Sequence, residues 1–322
     1  MSTVVGIDLG GTKVAAALLR DRTLGDSEQR PTELSSGEAL VEQLVQMVGA
    51  VRDGEFDAVG VGVPSVVEFA TGRVVSSINI PLTDVPLREV LGDALGVPVF
   101  VDNDATVAAL AEAHDERLRL VSENLVMLTI GTGVGGGIVL GGRIFRGATG
   151  GAGEIGHTLV ALDLDEGVPD ATGFPQPGSL ERQASGHALD SLAAAAGFDG
   201  GGGTVVGAAR AGDERARAVV SRWARAVGIG IANAINTIDP DEVVIGGGAS
   251  GDGDLLLDPA RDAALGYVVP GLRGHATIRL ARHGARAGVL GAALLAEQEL
   301  AESAGGGEVD GYGAGGRTAV RS

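Results

Sequence analysis

The chain has 322 residues, 44% hydrophobic and 20% charged, so its length allows two domains and its composition excludes a disordered polymer. A formal net charge of −18 repels nucleic-acid phosphates and anionic lipid, which argues against nucleic-acid and membrane partners. There is no cysteine, which excludes disulfides and thiolate metal sites.

Met1-Ser2-Thr3 leads directly into an apolar strand, without a basic segment and long apolar core, so no signal peptide is expected. No stretch reaches the roughly 18 apolar residues of a membrane span, and a soluble, cytoplasmic protein is expected. Val4 to Leu9 and Thr12 to Leu19 read as two strands joined at Gly10-Gly11. Residues 37–52 carry helical periodicity, 58–63 reads as a strand, Leu87 to Leu95 as a helix, Val97 to Val101 as a strand and Ala105 to Ala113 as a helix. This alternation points to α/β layers. A second strand–turn–strand, Leu125 to Ile130, Gly131-Thr132-Gly133 and Gly135 to Leu140, repeats the layout of the first, as a duplication with one copy per domain would. Helices then fill 180–237, with a break expected at Gly200 to Gly203. Asp241 to Ile245 is a strand ending in Gly246-Gly247-Gly248, and Ala287 to Glu299 is a closing helix. From Ser303 onward the composition is that of a flexible tail.

Gly6 to Lys13 nearly matches a phosphate-binding P-loop, but Thr-Lys replaces Lys-Ser/Thr and an apolar strand follows instead of a helix. The dinucleotide fingerprint fails too, since the glycines are not spaced as GxGxxG. What remains is a hairpin tip whose exposed N–H groups can hold phosphate oxygens, with Asp8 placed to hold Mg²⁺ through water; an ordinary hairpin turn would read the same.

The motifs together resemble the ROK family, which comprises bacterial repressors and sugar kinases, among them many glucokinases. Asp8-Leu9-Gly10-Gly11-Thr12-Lys13, Asp102-Asn103-Asp104-Ala105, Gly131 to Gly137, Glu154-Ile155-Gly156-His157 and Val244 to Gly248 stand in that family's order over roughly residues 3–300. The resemblance implies a two-domain actin-like ATPase (ribonuclease H-like) α/β fold with the active site in the interdomain cleft. It implies a small domain of residues 1–113 completed by the helix 288–302, a large domain of 114–287, a tail of 303–322, and a homo-oligomer, dimer or tetramer. The implied reaction is ATP- and Mg²⁺-dependent phosphorylation of a sugar hydroxyl, by default the 6-hydroxyl of glucose or a related hexose.

Carried over residue by residue, Asp104 is the catalytic base and a substrate contact, a role that suits a carboxylate taking the hydroxyl's proton. Asn103, Glu154, His157 and Glu181 are sugar ligands, with Asn79 and Ser65 matched more loosely; Ser65 stands where glycine is usual. Gly10, Gly11, Thr12, Lys13, Thr132 and Gly133 hold phosphates, and Gly247 and Gly248 lie near adenosine. Asn103-Asp104 also reads simply as the cap of the helix that follows.

One departure stands out. The family's Cys-x-Cys-Gly-x-x-Gly-Cys-Leu-Glu segment, which with the histidine binds structural zinc, is here Thr172 to Glu181, with Thr172, Phe174 and Ser179 in place of the cysteines. One histidine without thiolates does not make the tetrahedral site, so no zinc is expected. The changed segment makes a cyclitol or amino-sugar kinase the alternative. A sugar-responsive regulator is disfavoured by the charge and by an N-terminus with no room for a helix-turn-helix. A non-catalytic sugar-binding protein is disfavoured by the retention of Asp8, Asp104 and both tips.

Overall fold

In the computed structural model, which describes residues 2–77, 79–162, 173–248, 251 and 253–305, the first apolar run is a hairpin of β1 (Thr3–Leu9) and β2 (Lys13–Arg20). Its last pair before the tip is Leu9 with Val14. Short strands β3 (Thr23–Leu24) and β4 (Glu28–Pro31) pair with β2. Helix α1 (Gly37–Val51) starts where the Ser36 hydroxyl accepts the N–H of Ala39, and it buries Leu40, Leu44, Met47 and Val48 on one face. The fully buried β5 (Ala58–Val63) lies parallel to β1, as expected of a strand covered on both sides. A hairpin of β6 (Ser65–Glu68) and β7 (Arg73–Ser77), helix α2 (Leu87–Leu95), strand β8 (Val99–Asn103) and helix α3 (Asp104–Glu112) follow.

The second half begins with the hairpin of β9 (Leu125–Ile130) and β10 (Val134–Leu140), then β11 (Arg143–Ile144). Helices α4 (Leu180–Ala184), α5 (Gly186–Ala195), α6 (Gly201–Arg210) and α7 (Glu214–Ile238) lead to β12 (Glu242–Gly246). Helix α8 (Asp254–Tyr267), strand β13 (Thr277–Leu280) and helix α9 (Ala287–Gly305) complete the order.

The two main sheets run β3-β2-β1-β5-β8 and β11-β10-β9-β12-β13. In each, the path passes from antiparallel hairpin pairs to two parallel pairs. The duplication expected from the two Gly/Thr hairpins therefore extends to whole sheets. Helices α3 and α9 share one apolar core with residues of both sheets, including Val4, Ala58, Met127 and Val244. Helix α9 lies hard on the first sheet: a Cβ on Gly60 would stand 1.8 Å from the Ala292 carbonyl oxygen.

Three local expectations need correction. The strand expected at Val97 to Val101 is paired over Val99–Asn103, because Gly96 ends α2 in the left-handed conformation and Pro98 has no N–H to give to a ladder. The glycine run 200–203 does not break the helices; it opens α6, since Asp190 Oδ1 accepts the Gly202 N–H at 2.6 Å and Gly200 turns the chain at φ 95°. The break lies just before it, at 196–200. Ser303, where the tail is expected to start, still lies in α9, which runs to Gly305, with Glu299 and Glu302 ion-paired to Arg143. Residues 306–322 lie outside the described residues.

Candidate active site

The junction of β8 and α3 sets Asn103 and Asp104 in the wall of a cavity of about 500 Å³. Asn103 caps α3: its Oδ1 accepts the N–H of Ala105 (3.0 Å) and Thr106 (3.2 Å), while its amide N–H₂ donates to Ser65 O (3.4 Å) on the cavity wall and keeps its second hydrogen for a ligand. Asp104 Oδ1 accepts the Ala105 N–H at 2.8 Å. Burial pushes the Asp104 carboxyl from 3.8 up to about 6; the Ala105 N–H pulls it back, while the charges of Asp8 and Glu154 add to the rise.

Behind this turn lies a network with no sequence signal. The buried Asp102 accepts the Asn103 N–H (2.9 Å) and Arg146 Nε (2.7 Å), and Arg146 reaches on to Glu299 of α9 (3.0 Å). The Arg146 guanidinium also lies 3.3 Å from the centre of the Phe69 ring. Arg146 follows β11, so a side chain from the second half of the chain holds the turn that carries Asp104.

Glu154, His157 and Glu181 line the same cavity, with Ser65 and Asn79 on its other side. His157 Nε2 is 3.7 Å from Glu154 Oε2, and among the described residues its buried Nδ1 has no hydrogen-bond partner. Glu181 Oε2 accepts the Val134 N–H at 2.8 Å, and a Cβ on Gly133 would stand 2.4 Å from the same oxygen. Glu181 thus braces the second hairpin tip while facing the cavity. Ser65 and Ser77 form a cross-strand pair, and both buried hydroxyls lack hydrogen-bond partners among the described residues. Unpaired buried hydroxyls in a cavity wall are what polar substituents of a ligand would satisfy.

The segment that departs from the family is docked onto 158–161 by the backbone. Gly178 O accepts the N–H of Val160 (2.8 Å) and Ala161 (3.0 Å), and Leu180 N donates to Thr158 O (2.8 Å). Ser179, fully buried, accepts the Arg182 N–H as the cap of α4. Phe174 meets the His157 ring edge-on, with centroids 5.4 Å apart. Thr172 lies outside the described residues.

The two tips take different places. Gly133 and Gly247 line the main cavity; Gly247 sits at φ 79°, where a Cβ would strike Ile130 O at 2.5 Å. Thr132 instead faces an adjacent cavity of about 390 Å³ walled by His187, Asp190, Gly202, Val206 and Arg210, none of which the motifs point to. Gly248 lines neither cavity, and among the described residues a Cβ on it would meet nothing within 4 Å. In the first tip the Gly10 N–H closes onto Lys13 O at 2.9 Å, Thr12 and Lys13 are exposed, and Gly11 backs onto Asn79. None of Asp8, Gly10, Gly11, Thr12 and Lys13 lines the main cavity. Asp8 lies beneath the tip against Gly288 of α9; burial raises its pKa, and the Lys13 charge opposes the rise.

The sequence pattern of the ROK family matches residues 4–299. A glucokinase of Halalkalibacterium halodurans is 35% identical, spanning 92% of this chain and 95% of its own. The ROK hexokinase of Thermus thermophilus is 37% identical with a TM-score of 0.77, covering 93% of this chain and 99% of its own. A ROK family glucokinase from Streptomyces griseus, solved with glucose and AMPPNP, is 32% identical with a TM-score of 0.74, covering 92% and 99%. A match that runs from β1 through both tips and the Asn103-Asp104 turn to the closing helix leaves no major element outside it, and this chain belongs to the ROK family, with its two-domain actin-like α/β fold.

Proposed function

We propose that this chain transfers the γ-phosphoryl group of ATP to a hydroxyl of a sugar, with Asp104 as the base. The observation that carries this reading is one carboxylate, its pKa raised to about 6 by burial, in the wall of a cavity whose other walls are hydroxyl-binding side chains and the glycines of the second hairpin tip. A base in that range is ionised at neutral pH yet still accepts a proton readily as the attacking hydroxyl loses it. Similarity to glucokinases supports the sugar class.

In this reading Asn103, through its amide N–H₂, and Glu154, His157, Glu181, Asn79 and Ser65 hold the acceptor's hydroxyls. Gly10, Gly11, Thr12, Lys13, Thr132 and Gly133 hold the phosphates, Gly247 and Gly248 border the nucleoside, and the cavity beside Thr132 and His187 receives the adenosine. The boundaries 1–113 with 288–302, and 114–287, describe the two halves that close on the ligands and exclude water. Mg²⁺ fits the charges present: Asp8 and Asp104 repel one another with Lys13 as the cation acting on Asp8, so a divalent ion held through water at Asp8 offsets both. When bound, the ion neutralises charge on the transferring phosphates.

The 6-hydroxyl of glucose or a related hexose is the default acceptor. A cyclitol or amino sugar is the second reading, favoured by the unpaired Ser65 and Ser77 hydroxyls and the altered 173–179 segment. A screen of hexoses, amino sugars and cyclitols, read by ATP consumption, tests both. Turnover of at least one class is expected, and no turnover of any would overturn the kinase reading.

The same geometry bears on zinc. Phe174 and Ser179 already have packing and capping partners, and backbone bonds tether their segment to that of His157. Elemental analysis of the purified protein should therefore find far less than one zinc per chain. Chelation followed by Mg²⁺ should restore full activity. One zinc per chain, with unfolding on its removal, would show that other ligands exist.

A further inference from the structure

The chain passes between the two sheets twice, after α3 and before α9, and the passages are locked together. Glu112, fully buried at the end of α3, accepts the N–H groups of Arg282 (2.9 Å) and His283 (2.9 Å) and Arg279 Nη1 (2.7 Å). His283 Nε2 in turn lies 2.8 Å from His114 O. Beside this junction is a cavity of about 440 Å³ walled by Arg22, Glu116, Leu118, Arg282, His283 and Arg286. It shares no wall residue with the two cavities of the candidate active site. In a chain of net charge −18, three guanidinium groups stand in this wall with one carboxylate, Glu116; Arg282 is also ion-paired behind the wall with Glu242 (3.3 Å) and Glu112 (3.9 Å).

Arg22 is the informative member. Asp21-Arg22 is the two-residue turn between β2 and β3, with φ 48° and 57°, and the second place of such a turn usually goes to glycine. Arginine there is strained, and among the described residues it makes no hydrogen bond or ion pair. A strained residue with an unneutralised charge at a cavity wall calls for a function. Arg286 donates to Leu24 O (3.1 Å), which sets it beside the same turn, and Arg282 approaches Glu242 of β12 at 3.3 Å, which anchors it to the second sheet.

We propose that this cavity binds a phosphate group, as the free ion or as a phosphate monoester, between Arg22, Arg282 and Arg286. Guanidinium forks match phosphate oxygens in geometry and charge. Because Arg22 belongs to the first sheet and Arg282 is anchored to the second, a bound dianion links the two halves at their junction and bears on how they close.

Calorimetric titration of inorganic phosphate, and separately of glycerol 3-phosphate, into the full chain tests the site. A saturating non-hydrolysable ATP analogue keeps phosphate out of the nucleotide site. Arg22→Gly suits the turn and should leave the fold and the unliganded turnover intact, while weakening the binding of either anion by about tenfold or more. Arg286→Gln should weaken it similarly. Preference for the ion or for the ester identifies which source the site takes, and either supports the proposal. No binding of either up to about 10 mM, or binding that both variants leave unchanged, would overturn it. Neither outcome depends on Asp104 being the base, so the result stands apart from the catalytic reading.

Discussion

Asp104→Asn is expected to lower kcat by about 10²–10⁴-fold while leaving sugar affinity within a few-fold of the parent. The amide keeps the shape and can still accept the Ala105 N–H, and the cap of α3 belongs to Asn103, so the helix start should survive. What is lost is a group that takes a proton. The parent's kcat/KM should fall as pH drops through about 6, where burial places the carboxyl, and the variant's residual rate should lack that inflection. Stability should move the other way. The folded-state pKa lies above the unfolded value of 3.8, so ionising Asp104 costs stability, a cost absent below about pH 4 and complete above about pH 6. The variant should therefore be the more stable protein at about pH 8, by at most roughly 3 kcal/mol, with the difference closing toward about pH 4. Near-parental turnover would remove Asp104 from the base's role. Lost turnover together with collapsed sugar affinity would make it a binding residue instead.

The sequence was legible wherever structure is local. The two Gly/Thr hairpins, the apolar stripe of α1 and the cap at Asn103 depend on residues within a few positions of one another, and all are found close to where the pattern puts them. The cavity gathers Ser65, Asn79, Asn103, Asp104, Glu154, His157 and Glu181 from segments more than a hundred residues apart, a grouping that came from motif order and not from periodicity. Unreadable were contacts that no local rule implies. Arg146 reaches Asp102 across 44 positions, and Glu181 spends one oxygen on the Val134 N–H. The glycine run 200–203 looked like a break because its cap, Asp190, lies in the preceding helix. His187 and Arg210 carry no motif, and only the packing of α5 and α6 sets them in a second cavity beside Thr132.

The sharpest structural expectation concerns α9 and the glycines beneath it. Gly60→Ala places a methyl group 1.8 Å from Ala292 O and 2.7 Å from its carbonyl carbon, where the obstacle is helix backbone and no rotamer can yield. The helix must lift from β5, and Gly6 adds no slack, since its own Cβ position lies 2.1 Å from Val289 O. A loss of about 3 kcal/mol or more is expected, at the upper end of overpacking effects because the clash is with main chain. Gly49→Ala provides the control. That glycine lies on the exposed side of α1 with nothing within 4 Å, so the same added methyl should stabilise by about 0.5–1 kcal/mol through helix propensity. Denaturant melts of both variants beside the parent compare the two signs directly. Activity adds a second reading, because Gly288 at the start of α9 packs on the Asp8 carboxyl. A helix displaced at Gly60 should disturb Asp8 as well, lowering kcat under conditions where the variant is still folded. If Gly60→Ala melted with the parent and kept its rate, the close seat of α9 on the first sheet, and with it the placement of Asp8 against that helix, would be wrong.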